Sequence, residues 1–113
     1  MRRYSRKPIV IALALFFAAH GEAQQPLDAA RQAYDKGDYD KAISILKDAA
    51  QKDPNNGDIQ LLLTKSYLEA KKYDDAVNSG EKLVTIDPKS SVYHQWLGAA
   101  YGQKADHVSM LSA

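Results

Sequence analysis

Few side chains in this 113-residue sequence could do chemistry, and their spacing argues against it. The chain has three histidines, His20, His94 and His107, and no cysteine. His94 and His107 lie thirteen positions apart with no His-Glu pairing between them, which is not the short-spaced ligand set of a zinc site. Asp74-Asp75 offers two carboxylates, but neighbouring residues of a helix point about 100° apart and are badly placed to share a proton. A place at a helix N-terminus accounts for both, because the macrodipole favours acids there. Asn55-Asn56-Gly57 is turn chemistry without the Gly-Lys-Ser/Thr ending of a phosphate loop. The expectation is therefore no catalytic residue, no cofactor and no metal.

Charge and targeting set the next limits. Met1–Lys7 carries Arg2, Arg3, Arg6 and Lys7, residues 9–19 run apolar without a charge, and Gly21-Glu22-Ala23 has the small residues a signal peptidase reads. This is the three-part layout of a secretory signal peptide over residues 1–23. Eleven apolar residues fall short of the roughly 20 that span a bilayer, so no stable membrane anchor is expected after cleavage. Without cysteine no lipid-anchored N-terminus is expected, and Tyr4-Ser5-Arg6 does not supply the apolar pair of a twin-arginine signal. The expected location is the periplasm or the cell exterior. Residues 24–113 then carry a net charge near −2 with no basic cluster, so nucleic acid is not an expected partner.

The elements show a repeat. Gly37-Asp38-Tyr39-Asp40-Lys41-Ala42 returns as Lys72-Tyr73-Asp74-Asp75-Ala76, with Tyr39 matched by Tyr73, Ala42 by Ala76 and Asp53-Pro54 by Asp87-Pro88, each 34 positions on. A fixed period of this size marks a stacked helical hairpin. Leu27, Ala30, Ala33 and Tyr34 keep helical spacing up to Gly37, which reads as a left-handed cap. Asp38 and Asp40 open the next helix, and Ala42, Ile43, Leu46, Ala49 and Ala50 form its apolar stripe until Pro54 breaks it. Asp58 is expected to cap a third helix carrying Leu62, Leu63, Tyr67 and Ala70. Lys71 stands where the first copy has glycine, so this turn is expected to take a different shape. Asp74 and Asp75 start a fourth helix bearing Ala76, Val77, Gly80, Leu83 and Val84, ended at Pro88. Ser90 then caps a stripe of Tyr93, Trp96, Leu97, Ala100 and Tyr101.

These residues resemble the tetratricopeptide repeat, over Gln24 to about Lys104. Ala30 and Gly98 match the family's small residue of the first helix, with Thr64 substituting, and Tyr67 and Tyr101 match the aromatic one turn on. Ala42 and Ala76 match the small residue of the second helix, Ala49 the next, where Leu83 departs, and Pro54 and Pro88 the closing proline. The resemblance implies an all-α fold, a right-handed α-solenoid of antiparallel helix pairs. About two and a half units are expected: 24–56, 57–90 and an incomplete 91–113. The small residues allow helices to approach to about 8 Å, while Tyr39 and Tyr73 fill the wedge at each turn. In the third copy the pattern fails, with His107 at the aromatic place and Met110 at the small one. Its partner helix is expected to be absent or a stub, as in the N-terminal part of a longer exported bacterial repeat protein.

The family's first helices line a concave face that holds peptides. By position that face has Leu27, Arg31, Tyr34 and Asp35, then Asp58, Leu61, Lys65, Leu68 and Glu69, then Val92, Gln95, Ala99 and Gln103. It lacks the Lys and Asn set that grips a C-terminal carboxylate. Leu61 and Leu68 would suit an apolar helix or extended segment, or they pack on a neighbouring helix. The implied function is a non-enzymatic protein-interaction scaffold of the bacterial cell envelope with a protein or peptide partner. The competing reading is a structural or self-assembling repeat that associates through its uncapped C-terminal end.

Overall fold

The computed structural model describes residues 24–112, and residues 1–23, where the signal peptide is expected, lie outside the described residues. Among the described residues five helices follow one another without a strand: α1 (Gln24–Asp35), α2 (Tyr39–Lys52), α3 (Gly57–Glu69), α4 (Tyr73–Ile86) and α5 (Ser91–Ser112). Each packs on the next, and α3 also touches α1 and α5. This is the expected all-α solenoid, with the core running along the line of contacts between successive helices.

Local chemistry sets the turns. After α1, the Asp38 N–H donates to the Ala33 carbonyl and the Gly37 N–H to Tyr34, both at 2.9 Å, with Gly37 at φ 79°. That pair of bonds is the glycine-capped helix ending expected for a left-handed residue. The second hairpin repeats it: Lys72 N–H donates to Tyr67 at 2.8 Å and Lys71 N–H to Leu68 at 3.1 Å, with Lys71 at φ 61°. The two turns therefore share one shape. The expected difference falls away because packing of α3 on α4 outweighs the strain of one left-handed lysine.

Caps follow the same logic. The Asp38 carboxylate accepts from the Lys41 N–H at 3.3 Å, whereas Lys72, 34 positions later, caps nothing. Asn56, not Asp58, caps α3, its Oδ1 accepting from the N–H groups of Asp58 (3.1 Å) and Ile59 (3.3 Å). Its Nδ2 also donates to Asp53, which fixes the loop behind Pro54. Ser90 Oγ accepts from the Tyr93 N–H, as expected for the cap of α5.

Small residues lie at the crossings. Ala30, Ala42 and Ala76 are fully buried, with Leu46 and Leu83 beside them and Ala49 nearly so. At the third small place Thr64 donates to or accepts from Ser79 Oγ at 2.8 Å and donates to the Gln60 carbonyl, so a polar contact joins α3 to α4. Gly80 seats α5: a Cβ there would lie 3.2 Å from the Leu97 Cα. Gly98 and Tyr101 depart from their expected packing roles. Gly98 has no neighbour around its missing Cβ, and Tyr101 is 48% exposed, its hydroxyl donating to Glu81. The buried residue of α5 is Ala100. The helix also runs straight past Lys104 to Ser112, where the period would place a turn, and Met110 and Leu111 stand in solvent.

Candidate protein-binding surface

Because α3 touches both α1 and α5, the first helices of successive units form one face. The expected groove residues divide on it by burial. Leu27 and Leu68 are buried against neighbouring helices, so they build the core and offer a partner no surface. Leu61 and Ala99 are half-buried, and Arg31, Asp35, Asp58, Glu69, Val92, Gln95 and Gln103 are exposed. Arg31 pairs with Asp28 at 3.6 Å, an exposed contact of small energetic weight. Tyr34 meets Tyr39 edge to face with ring centroids 5.3 Å apart. Burial raises the Tyr34 hydroxyl above its ordinary pKa, and the charges of Glu69 and Asp35, with Tyr39, add to it. That ring thus stays neutral while marking where α1 and α3 come together.

One pairing was missed in the sequence. Lys65 Nζ lies 4.9 Å from the ring centroid of Trp96, half-buried on α5. A lysine over an indole face is an attractive contact, and it covers the largest aromatic surface on this side. The period could have located it: Lys65 corresponds to Ala99, and Trp96 lies one helical turn before Ala99. Leu61, half-buried one helical turn before Lys65 on α3, shares this face with the Lys65–Trp96 pair, which joins apolar area to a movable cation.

His94 and His107 each meet a neighbour. The His94 ring nitrogen Nε2 donates to the Pro88 carbonyl at 2.7 Å, and the His107 ring lies 5.0 Å from that of Tyr73. Among the described residues no group of three His, Cys, Asp or Glu side chains comes together in a way that could hold a metal. Lys104 contacts Asp74 at 2.8 Å; its hydrogen bond and then its charge hold that carboxyl below the ordinary value. No described helix is long and apolar enough to cross a membrane.

Stacked helical pairs, small buried residues where they meet and a face built from first helices define a helical repeat array. Residues 33–100 match the profile of the tetratricopeptide repeat. The chain belongs to the tetratricopeptide repeat family, whose members mediate protein–protein interaction. It is also 30% identical over 103 residues to the rhomboid protease GluP of Bacillus subtilis (strain 168), an alignment covering 85% of this chain. The chain spans a fifth of that protein's length.

Proposed function

We propose that this chain is a non-enzymatic scaffold of the bacterial cell envelope that holds a peptide or helix of a partner protein on its concave face. The observation that carries the reading is the patch of Leu61, Lys65 and Trp96 where α3 meets α5, half-buried in a family that binds protein. Leu61 supplies apolar area at the centre, and Lys65 can swing from the indole to meet an acidic or carbonyl group of the partner. Export rests on the basic, apolar and small-residue layout of residues 1–23. The activity in the name of the rhomboid protease belongs to that protein.

Capture from a periplasmic extract, comparing wild type with Leu61→Asp, tests the groove. A protein retained by the wild type and lost by the variant supports it, since a charge on the apolar floor must be desolvated. Equal retention by both would remove the concave face from the proposal. A second reading is favoured by Met110 and Leu111, 78% and 75% exposed at the end of α5. Exposed apolar surface of this kind promotes association. Light scattering over a dilution series separates the two: a constant monomer mass supports the scaffold, and mass rising with concentration supports self-assembly.

A further inference from the structure

α2 and α4 are not neighbours; each packs on α3, and between them over the α3 floor lies a cleft of about 280 Å³. Lys47 stands on one wall and Lys82 on the other, with Ala50, Leu63, Tyr67 and Gln60 lining the space between. Neither lysine has an ion-pair partner among the described residues.

Gln60 is the unusual member. It is 2% exposed, yet its side-chain Oε1 has no hydrogen-bond partner. Buried polar atoms are almost always paired, so an orphan acceptor calls for an explanation. Helix packing does not supply one: the corresponding residues 34 positions away, Pro26 and His94, are not buried. The backbone carbonyl of Gln60 is already bonded to Thr64, which leaves the side-chain amide as the free group.

We propose that this cleft, on the side away from the face formed by α1, α3 and α5, binds an acidic peptide in an extended conformation. A backbone N–H of the peptide donates to Gln60 Oε1, turned toward the cleft by side-chain rotation. An apolar side chain lies on Ala50, Leu63 and the Tyr67 ring, and flanking carboxylates meet Lys47 and Lys82. A simple anion offers neither the donor that Gln60 lacks nor an apolar body for the walls. A peptide alternating acidic and apolar residues offers both.

The test is an NMR titration of the isotope-labelled chain with an acetylated Glu-Leu-Glu-Leu-Glu amide, set against its Lys-Leu-Lys-Leu-Lys counterpart. The acidic peptide should shift the amides of Lys47, Gln60 and Lys82, and the response should weaken as salt screens the two lysines. Gln60→Leu should still fold, since it replaces an unpaired buried carbonyl by an apolar group of similar size, and should bind about tenfold more weakly. Lys47→Glu with Lys82→Glu, both at exposed positions, should abolish the response. The proposal is overturned by silence at these three amides, by an equal response to the lysine peptide, or by unchanged binding in both variants. Shifts confined to Leu61 and Trp96 would also overturn it, and would leave the concave face standing.

Discussion

Lys71 adopts φ 61° where Gly37 adopts 79°, and Lys72 stands without a capping bond where Asp38 accepts one from Lys41. The two hairpin turns have the same backbone but differ in how well their residues suit it. A non-glycine residue in the left-handed region is strained by roughly 1–2 kcal/mol, partly offset by the chain entropy a glycine would lose on folding. Lys71→Gly is therefore expected to raise unfolding free energy by roughly 1 kcal/mol in urea titrations, with an unchanged m-value. Lys72→Ser should add about 1 kcal/mol by capping α4. The exposed contact it forfeits, Lys72 to Asp40 at 3.7 Å, is worth little. A loss of stability in either variant would mean the turn is held by something other than its backbone bonds. At this scale the first turn was legible because Gly37 announces itself. The second was not, because no local rule says that a strained lysine will follow its neighbour's shape. Asn56 was passed over for Asp58 because both residues cap well, and only the bonds to Asp58 and Ile59 decide between them.

At the scale of elements, α5 is the helix least tied down. It has 22 residues and buries Ala100 alone, while α3, enclosed by four helices, buries seven of thirteen. Its attachment to α4 rests on the close approach at Gly80 and on edge contacts, Tyr101 to Glu81, Lys104 to Asp74 and His107 against Tyr73. Gly80→Leu should prise α5 away, because the new side chain meets the backbone of Leu97. Amide exchange across residues 91–112 should then accelerate far more than in α1 and α2, and uniform acceleration would count against this seat. The Asp74 contact makes the same helix sensitive to acid. Lys104 holds the Asp74 carboxyl below its ordinary pKa, so the folded state binds that proton less readily than the unfolded chain. The contribution is complete above the ordinary carboxylate range and is lost as pH falls through the lowered folded value. Asp74→Asn should loosen residues 104–112 at neutral pH and leave them unchanged in strong acid, where the wild type has lost the contact too. Exchange that differs between the two proteins at low pH instead would assign the effect elsewhere. The stripe of α5 was legible from Tyr93 to Tyr101, but not its length. Ala105 stands where the earlier units have Gly37 and Lys71, and alanine is the residue that least favours leaving a helix.

Across the whole molecule, stability is close to a sum of pair terms between adjacent helices, so position along the array decides how far a local change travels. Legibility followed the same division. The period of 34 exposed the stacking of pairs and the placing of Ala30, Ala42 and Ala76 at its crossings, since narrow approach demands small side chains wherever it occurs. It left Leu27 and Leu68 open between the groove and packing on a neighbouring helix, and burial decides for packing, because the period shows which residues share a face but not how deeply a neighbouring helix covers it. Ala76 lies on α4, which joins the central helix to the last one, and it is fully buried. Ala76→Leu should overpack the crossing in which it is buried, at a loss of roughly 1–3 kcal/mol, lowering the thermal midpoint by several degrees. Its exchange signature should also differ from that of Gly80→Leu. Opening must spread into α3 as well as α5, because the crossing that Ala76 serves holds the second pair together. A midpoint equal to that of the wild type would show that α4 can move outward freely, and with it that close nesting is not what holds this array together.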